Sequence, residues 1–153
     1  MGPHPPCFLL QGARCYHQPG GVGSTRMNAK RFEGLVQKAL DSIPEEFADL
    51  LDNVAVFIEP APSRTVLRSL GIGRASTLFG LYEGVPQTER TSHYEMVPPD
   101  RITIFQRAIE QAASSDAEIE EQVRATVLHE IAHHFGIDDR RLREIERGRR
   151  RRR

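Results

Sequence analysis

The chain of 153 residues is long enough for one compact domain with one hydrophobic core, and it has no room for a second catalytic domain. Its 39% hydrophobic and 27% charged residues exclude a wholly disordered or fibrous protein. Lys plus Arg and Asp plus Glu each total 21, so the net charge is zero and no overall field attracts nucleic acid.

The first 26 residues are rich in Gly and Pro and show neither helical nor strand periodicity, so we predict a disordered extension over residues 1–26. The two cysteines, Cys7 and Cys15, lie in this segment and provide neither a disulfide framework nor a Cys-based zinc site. The longest apolar run near the N-terminus, Cys7 to Leu10, is too short for a signal peptide or a membrane span. These features favour a cytoplasmic protein without a membrane partner.

The folded domain is predicted over residues 27–146, and its first elements follow from periodicity. An apolar stripe at helical spacing predicts an N-terminal helix that ends near Pro44; its members are Phe32, Leu35, Val36, Ala39, Leu40 and Ile43. Runs of β-branched and aromatic residues predict strands at Val54–Ile58, Leu78–Glu83 and Arg101–Phe105. The polar, Pro-containing segment Gly84–Asp100 predicts a long connection between the last two strands.

A long helix is predicted from Ser115 or Asp116 to just before Gly136, because Glu118 completes a capping box and no helix breaker intervenes. One face of this helix is apolar and comprises Val123, Val127, Leu128, Ile131, Ala132 and Phe135. The opposing stripe comprises Gln122, Thr126, His129 and His133. The helical wheel therefore predicts that the two histidines face away from the centre of the core.

His129, Glu130 and His133 form the pattern His-Glu-x-x-His. A spacing of four residues places the two imidazoles on one helix face, where both can bind one metal ion. Glu130 lies about 100° further round the helix, where its carboxylate can accept a proton from metal-bound water without binding the metal. The alternative interpretation is a pair of ordinary solvent-exposed histidines.

The residues after the helix predict the third metal ligand. Gly136 can end the helix in a left-handed conformation and reverse the chain, so that Asp139 approaches the metal; Asp138 is the alternative ligand. Zinc accepts imidazole nitrogen and carboxylate oxygen, and three protein ligands with one open position are typical of a catalytic site. We therefore predict one Zn²⁺ bound by His129, His133 and Asp139, with Glu130 as the base for hydrolysis of a peptide bond.

Three segments together resemble the small zincin-like "minimal metallopeptidase" family of bacterial proteins, whose members carry a similar HExxHxxGxxD stretch. The segments are Thr126–Asp139, Leu81–Pro86 and Asp100–Phe105, and the resemblance covers roughly Phe32 to Leu142. It implies an α+β zincin-like fold, in which a short sheet packs on an N-terminal helix and on a long metal-binding helix. It also implies an enzyme of a family whose physiological substrates are generally unassigned.

The chain lacks two parts of larger metzincin-type enzymes. Met1, Met27 and Met96 all precede the motif, so no Met-turn lies beneath the zinc. No C-terminal subdomain follows, which favours short or flexible peptides over long, folded proteins as substrates. A zinc-stabilised interaction module without catalysis is an alternative function.

The charge distribution suggests a further alternative. Six of the 21 basic residues are arginines between Arg147 and Arg153, which leaves 15 basic against 21 acidic residues in the rest of the chain. A like-charge block without aromatic residues is typical of a solvated tail, so we predict a basic disordered tail over residues 147–153. Binding of RNA or DNA through this tail is the alternative function from a different class.

Overall fold

The computed structural model describes residues 16–17, 27–48, 51, 53–73, 76–90, 98–138, 140, 141, 144 and 147. Asp139, most of the N-terminal extension predicted over residues 1–26 and residues 148–153 of the predicted basic tail lie outside the described residues. Both predictions of disorder, and the domain boundaries drawn from them, therefore stay predictions.

The described elements alternate between helices and short strands. The helices are α1 (Ala29–Asp41), α2 (Glu45–Ala48), α3 (Arg64–Ser69), α4 (Gln106–Ala112) and α5 (Asp116–His134). The strands are β1 (Tyr16–His17), β2 (Val54–Glu59), β3 (Ser76–Thr77), β4 (Gly80–Glu83) and β5 (Asp100–Phe105), and a 3₁₀ turn spans Gln87–Glu89. No helix in the described part of the chain is long and apolar enough to cross a membrane.

Strand β5 is the centre of a three-stranded sheet in the order β2-β5-β4. It pairs in parallel with β2, where Val54 faces Asp100, and antiparallel with β4, where Gly80 faces Ile104. The sheet is backed by α5, which packs against β4, β5 and α1. A second, two-stranded sheet pairs the backbones of β1 and β3. The predicted α+β fold class, with a short sheet on an N-terminal helix and a long helix, is confirmed.

Helix α1 forms because its apolar residues recur on one face and its N-terminus is capped. Phe32, Val36 and Ala39 are buried in the core, as the stripe predicted. The side chain of Asn28 accepts a hydrogen bond of 2.8 Å from the backbone N–H of Arg31, which satisfies one of the unpaired donors of the first turn. The prediction of an N-terminal helix is confirmed.

Helix α5 begins and ends at the predicted signals. The hydroxyl of Ser115 accepts from the backbone N–H of Glu118, and the Glu118 carboxylate accepts in return from the N–H of Ser114. Gly136, with φ of 77°, follows the last turn in the left-handed region that glycine adopts without a steric penalty. The helix thus crosses the whole domain and presents its C-terminal half to β4 and β5.

Candidate metal centre

The two motif histidines lie side by side on α5. The ring centroids of His129 and His133 are 4.7 Å apart, and the ring planes meet at 84°. His129 is half-buried, whereas His133 is only 3% exposed. The alternative of two ordinary solvent-exposed histidines does not describe this pair, because one ring is almost fully enclosed.

The turn after α5 orients the His133 ring. The N–H of Gly136 donates to the carbonyl of His133, and the N–H of Ile137 donates to the carbonyl of Ala132, both at 2.9 Å, which is the Schellman pattern of helix termination. The carbonyl of Ile137 then lies 3.0 Å from Nδ1 of His133. Because a carbonyl can only accept, Nδ1 carries the hydrogen, and in the neutral ring Nε2 holds the lone pair.

This arrangement fits a metal ligand. A ligating histidine usually donates its other ring N–H to a carbonyl or carboxylate, which fixes the tautomer and the direction of the lone pair. Nε2 of His133 is shielded from solvent, and His129 contributes a second imidazole beside it. Two nitrogen donors of borderline softness at this distance are chemically suited to zinc.

The predicted third ligand is not among the described residues. Asp139 lies outside the described residues, and within the described ones no three His, Cys, Asp or Glu side chains form a metal-binding group. Its neighbour Asp138 is exposed, and its Oδ1 accepts a hydrogen bond of 2.8 Å from the backbone N–H of Arg141. That bond is the one an N-cap residue makes at the start of a helical turn.

Glu130 is buried between α5 and β4, because Gly80 allows the strand to approach the helix closely. A Cβ placed on Gly80 would lie 2.9 Å from Oε1 of Glu130 and 2.7 Å from Cγ2 of Thr126. The Thr126 hydroxyl donates to the carbonyl of Gln122 at 2.7 Å, so its methyl group is fixed toward the strand. A small cavity opens at this crossing, lined by Phe79, Gly80, Gln122, Ala125, Thr126, His129 and Glu130.

The side of α5 that carries the histidines is more enclosed than the helical wheel indicated. Thr126 and His133 belong to the polar stripe, yet both are buried. Thr126 is covered by β4, with Gly80 packed against it and against Glu130. His133 is flanked by the His129 ring and the Ile137 carbonyl. Gln122, Thr126 and His129 line the small cavity, so this stripe is not a fully solvated surface.

A second group of polar side chains, which the sequence analysis did not identify, lies at the end of α5. Oδ2 of Asp100 accepts from the Tyr82 hydroxyl at 2.6 Å and from an Arg90 terminal nitrogen at 2.6 Å, and it lies 2.9 Å from Nδ1 of His134. Nε2 of His134 is 3.2 Å from the amide nitrogen of Gln87. We call these five residues the Asp100 cluster; His134 is fully buried within it.

The sequence contained only a weak signal for this cluster. Asp100 stands at the start of a strand, where a polar residue is ordinary, and His134 follows the second motif histidine on the same helix. The two residues are 34 positions apart in the sequence, so no local spacing predicts their contact. One feature could have indicated a buried polar cluster. Asp100 stands at the start of a predicted strand, directly before an apolar run.

Comparison with known proteins assigns the family. Residues 51–149 match the model of the Zincin-like metallopeptidase family. The chain belongs to this family. No curated protein matches the chain. A solved structure of a conserved hypothetical protein from Thermus thermophilus is similar at 24% identity and a TM-score of 0.48, covering 71% of this chain and 94% of that one.

The matched segment contains both strands and the helix that form the site. It includes the whole predicted motif, from His129 to Asp139, and the residues of the Asp100 cluster. The resemblance inferred from the sequence is therefore confirmed at the level of the family. Membership of a zincin-like family favours a zinc metallopeptidase-type domain.

Proposed function

We propose that this zincin-like chain is a cytoplasmic, zinc-dependent peptidase that cleaves short or flexible peptides. The proposal rests on the His133 ring: its Nδ1 is held by the Ile137 carbonyl, its Nε2 is shielded from solvent, and the His129 ring lies beside it. A histidine that served only to fill the core would not need a second imidazole one turn away and a buried glutamate between them.

His129, His133 and Asp139 would hold the zinc in this proposal. The hydrogen bond from Arg141 N–H to Asp138 favours Asp139, because it engages Asp138 as a local cap at the surface. Zinc bound there supplies Lewis acidity, which polarises a substrate carbonyl and makes water more acidic.

Glu130 is the proposed proton acceptor, and its surroundings support that role. The carboxylate is buried against the backbone of β4, so it is held in one place and is shielded from bulk water. A base that is already positioned needs little rearrangement when it takes a proton from the attacking water and passes it to the leaving amine.

Strand β4 provides a surface for an extended peptide. Among the described strands it stands at the end of the order β2-β5-β4 and pairs with β5. Gly80 lies on this strand directly beside Glu130. An extended peptide that lies along this strand would run past the proposed base, and recognition of extended peptides beside a strand is common.

The test is the substitution Glu130→Gln, assayed for zinc and for peptide cleavage. The amide keeps the shape of the carboxylate but cannot accept the proton, so zinc content should equal that of the parent while cleavage of a peptide library is lost. Glu121→Gln is the matched control, because Glu121 lies on the same helix and its side chain is 73% exposed. This control should keep both zinc and cleavage.

Each outcome separates the alternatives. A parent protein that stays free of zinc after incubation with it at neutral pH contradicts the proposal at its root. Zinc bound in the parent without cleavage of any peptide favours the zinc-stabilised interaction module. Cleavage by Glu130→Gln at the parental rate shows that another group is the base.

A further inference from the structure

We propose that Asp100 is a positioning residue for the metal centre, which acts by locking His134 and thereby the last turn of α5 that carries His133. The inference rests on the proposed zinc site and assigns a role to the Asp100 cluster, which touches none of the reacting atoms. Three members of the Asp100 cluster, Tyr82, Asp100 and His134, are buried, and the cluster connects the strands of the sheet to the turn at Gly136.

A single carboxylate oxygen ties three segments together. Oδ2 of Asp100 accepts hydrogen bonds from Tyr82 on β4 and from Arg90 after the 3₁₀ turn. It also contacts Nδ1 of His134 in the last turn of α5. Asp100 itself begins β5, the central strand of the sheet. Asp100 therefore connects the C-terminal end of the metal-binding helix α5 directly to strands β4 and β5.

Stability alone does not account for such a group. The side chain of Asp100 is 1% exposed and that of Arg90 is 17% exposed, so both charges have lost most of their hydration. Attraction between buried charges often fails to offset this loss, and apolar residues of similar volume often give equal or greater stability. What charged hydrogen bonds provide in addition is a fixed direction for each partner.

The cluster reaches the metal centre through His134. Its Nδ1 faces Asp100 and its Nε2 faces Gln87, so both ring nitrogens are engaged. His134 precedes the turn in which Gly136 caps the carbonyl of His133 and the Ile137 carbonyl meets Nδ1 of His133. A rotation of this last helical turn would displace the His133 ring together with that of His134.

Two glycines make the close packing around this helix end possible. A Cβ on Gly84 would lie 2.5 Å from Oδ1 of Asp100, and a Cβ on Gly136 would overlap the hydroxyl of Thr88. The segment from Gly84 to Arg90 therefore meets Asp100 at both ends and the turn after α5 in its middle.

The experiment compares Asp100→Asn with the parent in two measurements on the metal site. Zinc affinity is measured by competition with a chromophoric chelator, and the visible spectrum of the cobalt(II)-substituted protein reports coordination geometry. We expect zinc affinity to fall at least about tenfold, as for residues that orient metal ligands, and the cobalt spectrum to change in shape. Asp116→Asn, the same change at the exposed start of α5, should alter neither.

Two further variants separate positioning from folding. Tyr82→Phe removes one hydrogen bond to Asp100 with little change in volume, and we expect a smaller shift of zinc affinity and spectrum in the same direction. Ile119→Ala removes a fully buried side chain at the far end of α5, and it should lower thermal stability while leaving both metal readouts at parental values. If Asp100→Asn does not fold, the zinc affinity and the cobalt spectrum of Tyr82→Phe decide whether the positioning role holds.

The inference and the proposed function can fail separately. Parental zinc affinity and an unchanged cobalt spectrum in both Asp100→Asn and Tyr82→Phe overturn the positioning role but leave the zinc site intact. A loss of affinity of the same size in Ile119→Ala also overturns it, since any destabilisation would then suffice. A parent that binds neither zinc nor cobalt overturns both proposals.

Discussion

Substitution of Gly80 by alanine tests how closely β4 and α5 must approach at the proposed base. The added Cβ would stand 2.7 Å from Cγ2 of Thr126 and 2.9 Å from Cγ of Glu130. Carbon atoms in contact prefer about 3.5–4.0 Å, so one partner must retreat by about 1 Å. The Thr126 methyl cannot rotate away without losing the hydrogen bond of its hydroxyl to Gln122, so we expect the side chain of Glu130 to be displaced.

The expected loss follows from that displacement. A shift of about 1 Å in a group near the reaction can cost about 100-fold in rate, so we expect kcat/KM of Gly80→Ala to fall by about that factor, or about 2.7 kcal/mol. Overpacking should also lower the free energy of unfolding by about 1–3 kcal/mol. Zinc affinity should stay near the parental value, because the three atoms nearest the added carbon belong to Thr126 and Glu130 and to neither histidine.

The assay is hydrolysis of a peptide that the parent cleaves, at saturating zinc, together with denaturant unfolding of both proteins. Gly73→Ala is the matched control, since no heavy atom lies within 4 Å of a Cβ placed there, and both its activity and its stability should be unchanged. Parental cleavage and parental stability in Gly80→Ala would refute the reasoning. The added methyl group would then fit between β4 and α5 without displacing Glu130.

Two further predictions concern the third ligand and helix α1. Asp139→Ala should weaken zinc binding strongly and Asp138→Ala should not, since Asp138 is engaged with Arg141; zinc titrations of both variants measure this, and a selective loss in Asp138→Ala would transfer the role to it. Gly34→Ala should raise the free energy of unfolding by about 0.5–1 kcal/mol, because Gly34 is exposed inside α1 and a Cβ there meets nothing. Unfolding curves check the second prediction, and a decrease in stability would contradict it.

Elements with local signals could be predicted from the sequence. The stripe that includes Phe32 and Val36 gave α1, the cap at Ser115 and the glycine at Gly136 gave both ends of α5, and β-branched runs gave β2 and β5. Each of these signals lies within one or two turns or within one strand, where the spacing of side chains is dictated by the element itself. The pairing of His129 with His133 belongs to this class.

Elements without such signals were missed. Helix α4 follows β5 directly, and Phe105 stands at its N-cap position without a side-chain hydrogen bond, so nothing in the sequence marks its start. Helix α3 is short and has no buried residue, so no apolar stripe indicates it.

The surroundings of the site depend on contacts between distant segments. A helical wheel distinguishes the apolar and polar sides of α5, but it cannot show that β4 packs on Thr126 or that His133 is buried. The Asp100 cluster joins residues from two strands, a turn and a helix, and its hydrogen bonds span 10 to 52 positions. No periodicity within one element encodes such contacts.

The turn at Gly136 links the stability of the helix end to the occupancy of the metal site. The carbonyl of Ile137 accepts from His133 only while the N–H of Ile137 donates to Ala132, so fraying of this turn releases the ring that it holds. By linkage, a metal that binds only the intact turn suppresses fraying by a free energy that grows with the ratio of metal concentration to Kd. Amide hydrogen exchange at Gly136 and Ile137, measured at several metal concentrations, therefore reports metal affinity without any substrate.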